Sequence, residues 1–233
     1  MFKMTASTMA CAAVFVAACN AGSGTRAAPN VHLGSTGGPP ADQLLSAVAT
    51  CKPLSHGKYK TDDNDNSPAE ISICGREGAV FWQADLDVDC DGKTTTVCNL
   101  KRDPDYQAQT AATDSAGQFL DASTLPYIVV PLPSDRFDYA AAGLALGGAV
   151  AVIYNGLVAY GVIGDVGPNN IIGEASYAMA TMLGIDPDPA TGGTNSGVTY
   201  IAFTGPSAIV KPIEDHAEAE RVGQKLAVAL IAH

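Results

Sequence analysis

A mainly β fold with a few peripheral helices is what this chain of 233 residues predicts, and three features carry the expectation. From Ile71 onward, β-branched and aromatic residues stand between turn signals, and Ala79-Val-Phe-Trp82 leads into Asp85-Leu-Asp-Val-Asp-Cys-Asp91, where acid and apolar residues alternate without a break. Leu144 to Tyr160 reads as a hairpin folded at Tyr154-Asn155-Gly156, a turn signal between apolar runs. Leu125-Pro-Tyr-Ile-Val-Val130 and Val198-Thr-Tyr-Ile-Ala-Phe203 add two further strands. The length suffices for one well-cored domain.

The elements follow in order. Residues 1–19 read as an export signal: Lys3 gives a thin positive start, and Met9 to Ala18 is an apolar core too short to remain in a membrane as a spanning helix. Its end, Val16-Ala-Ala-Cys19, is similar to the bacterial lipobox, whose cysteine is lipidated after cleavage; the alternative is plain secretion with cleavage among the small residues up to Ala28. Residues 20–45 form a Gly/Ser/Pro-rich flexible spacer, with a short helix expected from Asp42 to Val48, and residues 46–233 form the functional domain. Thr61-Asp-Asp-Asn-Asp-Asn-Ser67 is a polar surface loop, and Asp103-Pro-Asp-Tyr-Gln107 is a turn whose polar residues can face a cleft. Glu174 to Leu183 carries good helix formers stopped by Gly184, and Pro212 to Ile231 is a terminal helix with apolar positions at Ile213, Ala217, Val222, Leu226 and Leu230. The Asp215-His216 pair on it is read as a solvated first turn.

Charge and cysteine usage narrow the function classes. Against 24 acidic residues stand 13 basic ones, a formal charge of −11. Loss of the leader removes Lys3 and no acid, so 12 basic face 24 acidic residues and the charge becomes −12. Such a surface repels nucleic acid and tolerates cationic partners. Beyond Cys11 and Cys19, the four cysteines Cys51, Cys74, Cys90 and Cys98 suit two disulfides in an exported domain, with three pairings open. The histidines are scattered, so neither a structural zinc nor any other cofactor is expected.

Two features carry the chemistry. On an extended strand, Asp85, Asp87, Asp89 and Asp91 share one face, with Leu86, Val88 and Cys90 on the other. Three readings compete for that strip: a calcium loop opening at Asp87 but lacking an acid at its twelfth position, Cys98; a solvated edge strand; or a subsite for protonated amines on a polymeric sugar. The second feature is Tyr160-Gly-Val-Ile-Gly-Asp-Val-Gly-Pro-Asn-Asn-Ile-Ile-Gly-Glu-Ala-Ser176. It delivers Asp165 at a strand end, turns sharply at Gly164, Gly167 and Pro168, and places Glu174 at the start of a helix. Two carboxylates held by rigid neighbours are what acid/base chemistry on a glycosidic bond requires.

The strip, together with Asp103-Pro-Asp-Tyr-Gln107, Leu125-Pro-Tyr127 and Gly164-Asp-Val-Gly-Pro168 through Gly173-Glu-Ala-Ser176, resembles the glycoside hydrolase family 75 chitosanases over roughly Cys51 to Phe203. The resemblance implies an endo-acting hydrolase of chitosan, a catalytic pair at Asp165 and Glu174, inversion of configuration, and substrate contacts from Asp85, Asp87, Asp89, Asp103, Tyr106 and Tyr127. It moves the amine-subsite reading of the strip to the front. A more distant resemblance, of Gly-Asp-Val-Gly-Pro and the Glu-Ala-Ser segment to rare lipoprotein A, implies a small six-stranded double-psi-type β-barrel. A helix N-terminus favours an ionised carboxylate, which points to Glu174 as base and Asp165 as acid, while glutamate's higher intrinsic pKa argues the reverse. Trp82, Tyr106, Tyr127 and Tyr160 are candidate sugar platforms, each weighed against a place in the core. The expected product is a monomer, secreted or anchored at a bacterial cell surface through lipidated Cys19, acting on a cationic polysaccharide. The alternatives are a peptidoglycan-lytic barrel and a non-catalytic wall- or polysaccharide-binding one.

Overall fold

The computed structural model describes residues 37–64 and 66–232; the leader, Cys19 and the spacer up to residue 36 lie outside them. Helix α1 (Ala41–Ala47) and strand β1 (Lys52–Pro53) lead into β2 (Cys74–Arg76) and the long β3 (Ala79–Asp89). β4 (Tyr127–Pro131), β5 (Ala149–Tyr154), β6 (Leu157–Gly167) and β7 (Glu174–Ser176) follow, then α2 (Tyr177–Met182), β8 (Thr194–Phe203) and α3 (His216–Ile231). Because α1 begins at Ala41 and buries Leu44, the packed chain starts earlier than the expected boundary at residue 46.

The strands run β3-β7-β4-β6-β5-β8, and β8 pairs back onto β3, so six strands close into a barrel, with β1 and β2 added at the edge of β3. Two of the six pairings, β3–β7 and β4–β6, are parallel, and the other four are antiparallel. The β5–β6 hairpin turns on Asn155 and Gly156, with φ of 46° and 80°, the primed-turn geometry that a two-residue loop between twisted strands needs.

Alternation along the strands separates two apolar layers. Val150, Val152, Tyr200 and Ala202 point with Val80, Trp82 and Leu86 into the barrel, where α2 adds Met179 and Ala180. Ala149, Ala151, Ile201 and Phe203 point outward into an apolar layer shared with Ala219, Val222, Ala227 and Leu230 of α3, which packs on β5 and β6. Both faces are buried there, which is why the β5–β6 sequence is an almost continuous apolar run. Trp82 stacks on Tyr200 at 5.3 Å between ring centroids, and Tyr160 is 1% exposed, so neither is a sugar platform. Disulfides join Cys51 to Cys74 and Cys90 to Cys98. They fasten β1 to β2 and close the turn after β3, as suits a protein of an oxidising compartment. No helix among the described residues is long and apolar enough to cross a membrane. Asp215 caps α3, its carboxylate accepting the Glu218 N–H.

Glu174 is not at a helix start. It opens β7, parallel to β3 with Asp87 opposite it, and the helix begins only at Tyr177, capped by the Ser176 hydroxyl. Glu-Ala-Ser has helix-forming propensity, but pairing with β3 and β4 overrides it, as tertiary context often does. The calcium-loop reading fails for a related reason: Asp87 and Asp89 lie in a paired strand, not in a loop.

Candidate active site

A bulge decides where Asp165 points. β4 and β6 run in register as Tyr127↔Val162 and Ile128↔Ile163, then slip, so that Val129 lies opposite Asp165 and Gly164 is the extra residue. Simple alternation would send Asp165 after Ile163 into the barrel. The bulge instead puts it beside Val129 on the outer face. Only glycine fits at 164, because a Cβ there would come within 2.6 Å of the Tyr127 ring.

Glu174 reaches the same face from β7. Ala175 points inward, so Glu174 and Ser176 point outward beside Asp87 and Asp89. The antiparallel pairing Ile128↔Ala175 sets Glu174 alongside Val129. One row thus crosses four strands: Asp87 on β3, Glu174 on β7, Val129 on β4 and Asp165 on β6. Glu174 leans along it, for a Cβ at Gly167 of β6 would meet Glu174 Oε2 at 2.7 Å and Val129 Cγ1 at 3.0 Å.

This row floors a cleft of about 670 Å³. Asp87, Asp89 and Asp91 line it from β3 and the turn beyond, and Asp103 and Asp105 from the following loop. Asp62 and Asp63 arrive from the polar loop before β2, Asp63 accepting a hydrogen bond from Asn170 Nδ2 at 2.6 Å. With Asp165 and Glu174 that makes nine carboxylates among the described residues, and no lysine, arginine or histidine among those residues lines the cleft. The electrostatic consequence is uniform. Burial, then repulsion from neighbouring acids, pushes Glu174 up to about 7. Asp91 rises to about 7, burial again leading, against the Gln107 N–H hydrogen bond that lowers it. Burial raises Asp87 and Asp103, and takes Asp89 well above the ordinary carboxylate range. Asp165 is also raised by burial, but the N–H groups of Ala111 and Val166, both donating to Oδ1 at 2.7 Å, pull it back. No protein donor is hydrogen bonded to the Glu174 carboxyl among the described residues.

Asp87, Asp89, Asp103, Asp165 and Glu174 are brought together as expected, and three expected contacts are not. Asp85 is 4% exposed, with no hydrogen-bond partner at Oδ1. A register shift between Ala84 and Leu86 and the approach of Gly173, where a Cβ would fall 2.0 Å from Asp85 Oδ1, carry it beneath the cleft wall. Burial, then Asp87, raises it to about 8. Tyr127 is fully buried, its hydroxyl donating to the Asp91 carbonyl at 3.0 Å. Tyr106 is half-buried and donates to the Gly92 carbonyl at 2.8 Å, which holds the turn rather than facing a sugar. The cleft acids that the sequence reading does not anticipate are Asp62 and Asp63, which read only as a surface loop. Asp91 belongs to the alternating strip, and Asp105 and Gln107 to the turn whose polar residues can face a cleft.

Comparison with known proteins gives the family. Residues 86–226 match the fungal chitosanases of glycosyl hydrolase group 75. Endo-chitosanase B of Aspergillus oryzae is 32% identical over 197 residues, covering 74% of this chain and 82% of its own. Endo-chitosanase C of the same organism is 40% identical over 140 residues, 58% of this chain and 34% of that protein, and an endo-chitosanase of Aspergillus fumigatus is 29% identical over 163 residues, 64% and 68% respectively. Among solved structures, Streptomyces papain inhibitor aligns with 57% of this chain and 99% of its own at 17% identity and a TM-score of 0.30, too low a similarity to bear on function. The chain is a glycoside hydrolase and belongs to family 75.

Proposed function

We propose that this protein is an endo-acting chitosanase that cleaves β-1,4 bonds with inversion, Glu174 serving as general acid and Asp165 as general base. The observation that carries the reading is the row Asp87–Glu174–Val129–Asp165 on the floor of a cleft that, among the described residues, has nine carboxylates and no basic side chain. Such a cleft suits a polycation. The ammonium groups of glucosamine units would offset the mutual repulsion of Asp87, Asp89, Asp103 and their neighbours, each pair a charge-assisted hydrogen bond. Acetylated units offer no such charge.

Roles follow from surroundings. Glu174, without a donor and held up near 7, keeps its proton in mildly acidic water and can deliver it to the leaving oxygen. Asp165, with two N–H donors on one oxygen, is the more stable anion and can take a proton from water. This reverses the assignment based on a helix N-terminus, since Glu174 lies on a strand. One strand, β4, separates the two, and ordinary sheet geometry spaces alternate strands by about 9.5 Å. That is compatible with the roughly 6.5–9.5 Å between carboxyl groups that leaves room for water in inverting enzymes. Export and attachment through Cys19 belong to the same proposal, as does action as a monomer.

The test is reducing-end release from chitosan, chitin and peptidoglycan in parallel. Release from chitosan that Asp165→Asn and Glu174→Gln each abolish, with folding retained, supports the reading. Release from peptidoglycan alone, or full activity in either variant, overturns it.

A further inference from the structure

Beside the cleft, on the Asp165 side, a second hollow of about 320 Å³ runs between Asp165 and the loop that follows β3. Asp165 and Val166 line it together with Asp91, Gln107, Gln109, Thr110 and Ala111, and Asp91 and Asp165 are its two carboxylates. Asp91 and Asp165 line both hollows, whereas Glu174 lines the cleft alone. Asp165 is 7% exposed, and both its backbone donors end on Oδ1, which leaves Oδ2 without a protein partner. Thr110 has no hydrogen to spare: its hydroxyl donates to the Ala112 carbonyl and accepts the Leu120 N–H. Asp91 is fixed from two directions. Its Oδ1 accepts the Gln107 N–H at 2.6 Å, and its carbonyl accepts the Tyr127 hydroxyl.

We propose that this hollow holds the attacking water and that Asp91 is its second acceptor, a positioning residue that acts through the water bound to Asp165. The inference rests on the inverting reading above. An attacking water must present a lone pair to the anomeric carbon while both its hydrogens find acceptors. Asp165 Oδ2 takes the proton that is transferred. Asp91, whose charged form is favoured by the Gln107 N–H and by the ammonium groups of bound substrate while Glu174 has no protein donor, accepts at Oδ2 the hydrogen that stays, which becomes the hydrogen of the new anomeric hydroxyl. The water oxygen bonds to the anomeric carbon, the bond to the leaving oxygen breaks, and Glu174 supplies that oxygen with a proton, so atoms and charges balance. With only Asp165 as acceptor, the water would be free to rotate about a single hydrogen bond, and misaligned reactants lose the advantage of proximity.

The variant that isolates this role is Asp91→Asn. Its amide oxygen can still accept the Gln107 N–H, so the loop is kept, but the hollow gains a donor where it had an acceptor. We expect kcat on chitosan to fall roughly 10²-fold with KM little changed and the melting temperature near that of the parent. In Asp91→Ala, molar azide, a nucleophile that needs no deprotonation, should restore turnover and yield the glycosyl azide. An ammonium-binding role for Asp91 would instead raise KM and leave azide without effect, which overturns the proposal, as does an unchanged kcat. Asp165→Asn and Glu174→Gln are run beside them. If both are inactive while Asp91→Asn is fully active, only this inference fails; if either keeps full activity, the reading of the site fails with it.

Discussion

The outer face of the barrel has two sides of opposite character. On the antiparallel side, β8, β5 and the first half of β6 turn Ile201, Phe203, Ala151 and Val162 outward into one buried apolar layer, in which α3 packs on β5 and β6. On the side with parallel pairs, the end of β3, β7, β4 and the end of β6 turn Asp87, Glu174 and Asp165 outward, and among the described residues they face a cleft whose loops bring more acid. Both follow the same period-2 rule. They differ in what the outward positions hold, and in the bulge at Gly164 that adds Asp165 to the acidic side. The covered side supplies cohesion; the open side holds mutually repelling carboxylates in place at that side's expense.

Breaking each side should therefore have separable effects. The largest is expected at the open side. Glu174→Gln is isosteric and removes the proton donor, so kcat on chitosan should drop about 10²–10⁴-fold while thermal stability is kept or improved, measured by reducing-end assay and calorimetry. At the covered side, Phe203→Ala should cost about 3–5 kcal/mol of folding stability in denaturant titration, with the specific activity of the folded fraction unchanged. A loss of kcat there matching that of Glu174→Gln would erase the division.

Smaller effects sharpen the electrostatic contrast. Asp91 and Glu174 at about 7 and Asp85 at about 8 lie above the ordinary unfolded carboxyl value of about 4. The folded chain therefore holds more protons than the unfolded one across that interval, and stability should fall as pH rises from about 4 to about 8. A melting temperature that rises over this range contradicts the account. Asp85→Asn removes a buried carboxyl that must ionise late, so it should raise the melting temperature by a few degrees at pH near 8 and leave it unchanged at about pH 3, where the carboxyl is protonated in the folded and the unfolded chain alike. Equal shifts at both pH values would mean that Asp85 matters through packing alone.

The sequence made the contrast legible where local pattern carries it. The alternating Asp85–Asp91 strip, the hairpin at Asn155-Gly156 and the Asp165/Glu174 stretch could all be read from spacing, and the barrel from family resemblance. What could not be read depends on contacts between distant segments. The burial of Asp85 needs Gly173 of β7 pressed against it. The strand state of Glu174 comes from pairing with Asp87, a residue far away in the chain, against a local preference for helix. The outward turn of Asp165 depends on a one-residue slip against β4, and Asp62 and Asp63 become cleft residues only because their loop folds over the acidic row. Tyr127 was drawn into the expected site by motif, and its hydroxyl serves instead to hold the Asp91 carbonyl.

The most direct test of the central claim, that Glu174 and Asp165 act across β4 with a water between substrate and base, is the configuration of the first product. Proton NMR during early hydrolysis of a chitosan oligomer reports the anomer at the new reducing end before it equilibrates. The account predicts the α-anomer, inverted from the β-linkage. First appearance of the β-anomer would mean direct attack by a carboxylate, and would contradict both the roles assigned here and the water site beside Asp165.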